Sequence, residues 1–263
     1  MNFKPIVIVG GEPQSIFIEI FLKAIKKIDC PVVLISSKNI VNKNIKKFNS
    51  RFKINCLNKD FLNYKKGEIN LIDVDYNKFS FSKKKITSRS NKFIQESFKK
   101  ALKILKNKKC LGLINGPISK KKFLKGKYYG ITEFLAKKTG VIDPVMLIYN
   151  KNLCVSPLTT HIPIFRVSNK IKKKDIINKI KKIDFFYKKV LKRKPKFAVT
   201  GLNPHCESFE GENKEKKEIL PAIKYLKRSN ITIKGPFSSD TIFLKENTKK
   251  FDVIFGMYHD QVL

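Results

Sequence analysis

Short apolar runs rich in β-branched residues alternate along the chain with longer segments whose apolar residues recur at helical spacing. In the first half, four runs predict strands, namely "PIVIVG" (5–10), "PVVLIS" (31–36), "EINLIDV" (68–74) and "CLGLING" (110–116), and the segments 14–28 and 90–107 predict helices. This alternation is typical of βα units that build a mostly parallel sheet covered by helices. The pattern therefore predicts an α/β protein.

The second half of the chain repeats the same alternation. Its predicted elements are a strand pair at 144–150 and 152–158, strands in "KFAVTGLNP" (196–204) and "FDVIFGMYHD" (251–260), and helices at 131–140, 172–192 and 214–229. No low-complexity linker and no internal repeat separates these elements. A second domain would therefore be joined to the first by continuing strands or helices.

Charge raises the question of a polyanionic partner, because the formal net charge is +36 and clustered Lys and Arg bind phosphates. The lysines are spread over the whole chain, however, and in 119–127 and 181–196 they alternate with apolar residues at helical spacing. Such spacing is typical of solvated helix faces. We therefore expect no nucleic-acid partner and keep a basic nucleic-acid-binding protein as the alternative of another class.

The cysteines and the apolar runs bear on the compartment. Five scattered cysteines without a CxxC pair disfavour a disulfide framework and favour a reducing compartment. The start of the chain is unlike a secretory signal, and no stretch reaches the ~18 apolar residues of a membrane helix. We expect a cytoplasmic protein that does not bind membranes.

Polar loops follow the predicted strands, and all three histidines of the chain, His161, His205 and His259, lie in such loops. Ligands of α/β sheets collect outside the carboxyl ends of strands. Three imidazoles from three strand ends could bind one divalent cation and leave positions open for a substrate. Their spacing matches no local metal motif, so solvated loop histidines remain the alternative.

Other polar residues of these loops are weaker candidates. Asp260 and Asp240 could orient a ligating imidazole or act as a base, although a loop aspartate more often caps a helix, and Asp240 stands where a cap would. Cys206 could be a ligand or nucleophile, or a small buried thiol. The loop "GGEPQS" (10–15) lacks GxGxxG, but a glycine turn before a helix can still bind a phosphate.

Eight motifs span nearly the whole chain and contain all three histidines. They are "GEP" with "EI" (11–20), "INGPISK" (114–120), "GITEFLA" (130–136), "LTTHIP" (158–163), "GLNPHCES" (201–208), "LPAI" (220–223), "GPFSSDTIF" (235–243) and "MYHDQ" (257–261). In this order they resemble the family of 4-hydroxythreonine-4-phosphate dehydrogenases, PdxA.

The resemblance implies two α/β/α domains related to isocitrate and isopropylmalate dehydrogenases, which we place at 1–115 and 116–263. It also implies a homodimer that oxidises 4-phosphooxy-L-threonine with NAD or NADP, after which the keto acid loses carbon dioxide. The divalent metal ligands of the family fall on His161, His205 and His259, and the ion would be Zn, Mg or Co. Asp260 would contact the metal-binding imidazole of His259 and orient it.

Two departures from the family pattern affect ligand binding. The substrate-binding histidine of the family motif GHTEF is Ile131 here, so of that pair only Thr132 carries over. In the opening loop, Ser15, Phe17 and Ile18 replace two glycines and a proline of the family, which puts close approach of a ligand to that backbone in doubt.

The chain ends soon after the YHDQ motif, whereas family members continue with a lysine, an asparagine and an arginine that bind substrate. We expect low activity if the 263 residues are the entire gene product. The alternatives within the family are a dehydrogenase for another phosphorylated hydroxy acid, a phosphothreonate or phosphoerythronate, and an inactive fragment.

Overall fold

The computed structural model of the chain describes residues 4–57, 63–77, 86–124, 126–128, 130–206 and 213–263. The chain divides into two compact units, Met1–Ile142 and Asp143–Leu263. Within the described residues, none of the helices has the length and apolar character needed to cross a membrane.

The first unit is built on one sheet of five parallel strands, in the order β3-β4-β2-β1-β5. The strands are β1 (Ile6–Val9), β2 (Val32–Ser36), β3 (Ile54–Cys56), β4 (Ile69–Asp73) and β5 (Gly112–Asn115). Its α-helices are α1 (Phe17–Ala24), α2 (Lys38–Lys47), α3 (Ile86–Lys106) and α4 (Ile131–Thr139).

Alternate residues of the first sheet face two hydrophobic clusters. Val7 and Val9 of β1 pack in a cluster with Phe98 of α3, whereas Ile8 packs in a second cluster with Phe21 of α1. Side chains of a strand point alternately to its two faces, so a strand apolar at every position needs cover on both. The first unit is therefore a sheet between two helix layers.

The second unit is built on four parallel strands in the order β6-β9-β7-β8. They are β6 (Cys154–Thr159), β7 (Phe197–Thr200), β8 (Ile233–Phe237) and β9 (Val253–Tyr258). Its α-helices are α5 (Val167–Lys170), α6 (Lys173–Phe186), α7 (Leu220–Arg228), α8 (Ser239–Ile242) and α9 (Lys245–Thr248).

The central strand β9 of the second sheet is covered on both faces. Phe255 packs in a cluster with Ile180 of α6 and Leu226 of α7, whereas Ile254 packs in another with Ile242 of α8. This arrangement again places helices on both faces of a parallel sheet. The prediction of an α/β protein with parallel sheets is confirmed.

Several predicted elements differ in extent, among them the helix expected at 214–229, which is a π-helical segment, Glu215–Ile219, followed by α7. The strand pair expected at 144–158 is a single strand, β6, joined to the preceding segment only by the antiparallel bridge between Ile148 and Val155. The helix expected at 172–192 is α6 followed by a π-helical turn, Tyr187–Leu191. Apolar periodicity continues across such a turn and does not mark the change of hydrogen-bond pattern.

The division between the units falls later than the boundary expected after residue 115. Phe123 and Phe134 belong to the same cluster as Phe98 of α3, with ring centroids 6.2 and 5.4 Å from that of Phe98. The segment 116–142, expected in the second domain, therefore belongs to the first unit.

Candidate metal and substrate site

Loops that leave three neighbouring strands of the second sheet carry the three histidines. His161 follows β6, His205 follows β7 and His259 follows β9. Because these strands are parallel and adjacent in the order β6-β9-β7, the three loops leave from the same edge of the sheet. This is the edge at which parallel sheets bind ligands.

His161 and His259 lie side by side, with ring centroids 5.8 Å apart and ring planes tilted by 37°. The parallel register pairs Thr159 with Tyr258, so the two histidines follow at nearly matching positions. The Thr159 hydroxyl also donates a hydrogen bond to the Met257 carbonyl at 2.9 Å. His161 has a φ of 51°, a left-handed conformation that histidine adopts more often than most residues.

Asp260 contacts the imidazole of His259 directly. Its Oδ1 lies 2.7 Å from His259 Nδ1. A carboxylate at this distance accepts a hydrogen bond from Nδ1–H, which leaves the lone pair on Nε2, an arrangement typical of metal-binding histidines. Asp260 thus has the geometry of a residue that orients a ligand.

His205 makes a different contact. Its Nε2 lies 3.6 Å from Asp240 Oδ2, and the two side chains are 65% and 54% exposed. Exposed pairs of this kind contribute little free energy. Asp240 itself does not cap α8, because the cap is Ser238, whose hydroxyl accepts a hydrogen bond from the Asp240 backbone N–H at 3.3 Å.

The imidazole nitrogens of the three histidines are suitable ligands for a divalent cation, but the three side chains do not all converge on one point. In the described parts of the chain, no three or more His, Cys, Asp and Glu side chains are grouped to hold a metal ion. A metal–nitrogen bond of about 2.1 Å places a ring centre about 3 Å from the ion. The separation of His161 and His259 is compatible with one shared ion, whereas His205 contacts Asp240.

Glu215, which the sequence reading missed, holds the loop that leads to His205. The residue is 2% exposed, and its Oε1 accepts hydrogen bonds from the backbone N–H groups of Leu202 and Asn203, both at 3.0 Å. The side-chain amide of Asn203 donates to the same oxygen at 3.3 Å. Glutamate is rarely buried unless it has partners. The lysine-rich segment around Glu215 gives no signal in the sequence that its carboxylate binds this loop.

Cys206 is a poor candidate for a ligand or nucleophile. Burial raises the pKa of its thiol, the backbone hydrogen bond to Gly201 lowers it in part, and the charge of Glu215 raises it further. A thiol must ionise to bind a metal or attack a substrate. A side chain on Gly201 would also meet the sulfur, since a Cβ there would lie 2.6 Å from Cys206 Sγ.

Ile131 and Thr132 begin helix α4 in the first unit. Ile131 is partly buried and packs against the cluster that contains Phe134, so this position contributes apolar contact. Thr132 is also partly buried. Gly130 precedes them as an extended N-cap without a side-chain hydrogen bond. The end of the helix is as predicted, since Gly140 closes α4 in the left-handed conformation with a φ of 73°.

The glycines of the loop after β1 serve close packing. Gly11 has a φ of 73°, and a Cβ there would lie 2.4 Å from the Pro117 carbonyl oxygen. The Glu12 N–H donates to that same carbonyl at 2.8 Å. The loop after β1 is thus fixed against the loop after β5. No dinucleotide fingerprint is present.

A cavity of about 540 Å³ lies beside this loop, at the carboxyl ends of β1, β2 and β4. Its lining includes Ser15, Ser37, Lys43, Lys47 and Asn77. The place is one at which parallel sheets bind ligands, and the lining suits an anionic or hydroxylated molecule. This cavity, whose lining also includes the carboxylate of Glu19, is one place in the first unit with room for a small ligand.

The fold and these strand-end residues define an α/β protein of the class that binds small ligands at the carboxyl edges of parallel sheets. The family model described as pyridoxal phosphate biosynthetic protein PdxA matches residues 27–263. The chain therefore belongs to the PdxA family.

Three similar proteins document this membership. A 4-hydroxythreonine-4-phosphate dehydrogenase of Sulfurihydrogenibium sp. is 36% identical over 275 residues, which cover 98% of this chain and 81% of the relative. A protein of Oceanobacillus iheyensis named for D-threonate 4-phosphate dehydrogenase activity is 25% identical, covering 99% and 82%. The crystal structure of a 4-hydroxythreonine-4-phosphate dehydrogenase from Burkholderia phymatum has a TM-score of 0.83 at 25% identity, covering 98% and 81%.

Proposed function

We propose that this chain is a dehydrogenase that oxidises the secondary alcohol of 4-phosphooxy-L-threonine with NAD or NADP. The product, 2-amino-3-oxo-4-phosphooxybutanoate, then loses carbon dioxide to give 3-amino-2-oxopropyl phosphate in pyridoxal 5'-phosphate (vitamin B6) biosynthesis. The observation that carries the proposal is the 36% identity, over 98% of the chain, to a relative named 4-hydroxythreonine-4-phosphate dehydrogenase. The adjacent imidazoles of His161 and His259 support it.

We further propose that His161, His205 and His259 hold a divalent cation, either Zn, Mg or Co. When bound, such an ion polarises an alcohol or carbonyl oxygen and lowers the pKa of a bound hydroxyl. Asp260 keeps the proton of His259 on Nδ1. The exposed contact of His205 with Asp240 costs little free energy to give up.

The remaining proposed roles concern substrate binding, assembly and compartment. The Thr132 hydroxyl is suited to hydrogen-bond the substrate, whereas Ile131 contributes only apolar contact. The formal net charge of +36 attracts a phosphorylated substrate over a long range at low salt. We propose a cytoplasmic homodimer, and the five free cysteines are in keeping with a reducing compartment.

Ile131 also favours a second candidate substrate within the same reaction class. An isoleucine at the position of a substrate-binding histidine changes which polar groups of the substrate can be recognised. A phosphorylated hydroxy acid without the amino group, D-threonate 4-phosphate or a phosphoerythronate, is the alternative. The relative of this name covers 99% of the chain.

A substrate panel tests the proposal. The purified chain, supplied with Zn, Mg or Co, is given each phosphorylated acid with NAD and with NADP, and reduced nicotinamide and carbon dioxide are measured. We expect both products from 4-phosphooxy-L-threonine. Turnover of D-threonate 4-phosphate alone would favour the second substrate, and turnover of none would contradict the proposed activity and favour the alternative of an inactive fragment. A DNA titration at two salt concentrations tests the nucleic-acid alternative, which requires binding that falls steeply with salt.

A further inference from the structure

Gln261 turns its side-chain amide back from the loop of His259 toward the neighbouring strand β7. Its Oε1 accepts hydrogen bonds from the Met257 backbone N–H at 2.7 Å and from the Thr200 hydroxyl at 2.8 Å. Its Nε2 donates to the Gly201 carbonyl at 2.8 Å. One side chain therefore links the end of β9 to the end of β7.

Hydrogen bonds on either side extend this link across all three histidine loops. Toward β6, the Thr159 hydroxyl donates to the carbonyl of Met257, the residue whose N–H donates to Gln261. Toward His205, Glu215 accepts from the backbone of Leu202 and Asn203. The ends of β6, β9 and β7 are thus joined by one run of side-chain hydrogen bonds.

Close packing leaves this link little freedom to shift. A Cβ on Gly256 would lie 2.3 Å from Val262 Cγ1 and 3.1 Å from Gln261 Oε1. Gly201, the residue that accepts from Gln261, has no room for a Cβ beside Cys206. The backbone at Gly256 therefore approaches Val262 and the amide, and the backbone at Gly201 approaches Cys206, as closely as glycine allows.

We propose that Gln261 is a positioning residue that fixes the loop of His259 relative to the loop of His205. This inference rests on the proposed function only where it predicts metal affinity. A metal site binds tightly when its ligands are held in place before the ion arrives, and residues behind the ligands set that arrangement. The contrasting role is ordinary packing, in which Gln261 stabilises the unit without setting the distance between the loops.

Four variants separate these roles. Gln261→Met keeps the length of the side chain and removes all three hydrogen bonds, whereas Gln261→Glu keeps the acceptor and places a carboxylate against the Gly201 carbonyl. Gln95→Met is the matched control on the exposed side of α3. Ile180→Val removes one buried methylene from α6 in the same unit and serves as a control for lost stability alone.

The measurements are Co²⁺ affinity by calorimetry, the Co²⁺ absorption spectrum, and urea unfolding of the full chain. We expect Gln261→Met to lower the affinity by about tenfold or more and to change the spectrum, with a smaller loss for Gln261→Glu. Ile180→Val should unfold at lower urea with unchanged affinity, and Gln95→Met should match the parent chain. Unchanged affinity in Gln261→Met would overturn the inference.

Amide exchange decides the inference independently of any metal. The Asn203 N–H donates to Glu215, not to Gln261, so if Gln261 holds that loop it should exchange faster in Gln261→Met than the lost unfolding free energy alone explains, with Ile180→Val as the reference. Absence of Co²⁺ binding by the parent chain would contradict the proposed metal site, yet faster Asn203 exchange would still support the inference. Unchanged Asn203 exchange would overturn it.

Discussion

The rings of His161 and His259 lie 5.8 Å apart although the two residues belong to distant parts of the sequence. They meet because β6 and β9 are neighbouring parallel strands with Thr159 paired to Tyr258. The backbone register thus places both imidazoles at one edge of the sheet without the help of a bound ion. Side chains held at the ends of strands keep a fixed distance from each other, whereas side chains on separate flexible loops would not.

We expect replacement of any one histidine by alanine to lower the affinity for a divalent cation by more than about 100-fold. This loss of affinity is larger than that caused by replacing a residue that only hydrogen-bonds to a ligand, because a metal–nitrogen bond itself is removed. Calorimetry with Zn²⁺ and Co²⁺ on His161→Ala, His205→Ala and His259→Ala measures it. Loss with the His161 and His259 variants but not with His205→Ala would reduce the ligand set to the adjacent pair.

Asp260→Asn should weaken metal binding by about 10- to 100-fold. The carboxylate lies 2.7 Å from His259 Nδ1, and an amide oxygen accepts a hydrogen bond from Nδ1–H less strongly than a charged carboxylate does. The same calorimetric titration measures the loss. Asp29→Asn, a substitution at an exposed aspartate of the first unit, is the control, and equal affinity of the two variants would contradict the role of Asp260.

The α/β class could be predicted from sequence because a buried parallel strand is apolar at every position and its neighbouring helices are apolar on one stripe. Val7, Ile8 and Val9 show the first pattern, and each of the two faces they supply has its own helix layer. The unit division could not be predicted, because the aromatic contacts of Phe123 and Phe134 join residues that have no periodic relation.

The candidate site was accessible from sequence only through residue types that are scarce in this chain. Histidine occurs three times, always after a strand, so His161, His205 and His259 could be named. Glutamate occurs eleven times and glutamine, like histidine, three times, but neither residue type by itself indicates a role in fixing a loop at Glu215 or Gln261. Their roles depend on backbone groups of other strands, which only the folded register brings near.

Ile131→His should raise kcat/KM for 4-phosphooxy-L-threonine, chiefly through a lower KM, because it restores the imidazole that the family resemblance places at this position. It should also cost about 1 kcal/mol of stability, since Ile131 packs against an apolar cluster. Steady-state kinetics and urea unfolding measure the two effects. Ile142→His, at a 99% exposed side chain, is the control, and an equal kinetic gain there would contradict a local effect.

Glu215→Leu should destabilise the chain by about 2 kcal/mol or more, because two backbone N–H groups and one amide lose their common acceptor. Glu215→Gln should cost only about 1 kcal/mol, since it keeps a neutral acceptor in place of the charged one. Urea unfolding gives both values. Glu246→Gln, on the exposed side of α9, should be nearly neutral, and equal losses for the two Glu215 variants would contradict the hydrogen-bond account.

Asp143 provides a pH-dependent contribution to the second unit. Burial opposes ionisation of its carboxyl group, but Lys179 and Lys182, each with Nζ 3.2 Å from a carboxylate oxygen, outweigh burial and lower its pKa below the ordinary 3.8. A carboxyl group with a pKa lowered by folding stabilises the protein above its unfolded pKa. That stabilisation is lost as the pH falls through the lower, folded value.

Asp143→Asn should therefore lower the free energy of unfolding by about 0.5 kcal/mol at neutral pH, a small value because the carboxylate and Lys182 are partly exposed to solvent. The difference from the parent chain should persist down to about pH 4, near the ordinary pKa of an aspartate, and shrink below it. Urea unfolding from pH 7 to pH 3 measures this trend, with Asp29→Asn as the exposed control. A difference that is constant over this range would show that Asp143 acts through its shape or its neutral hydrogen bonds and not through its charge.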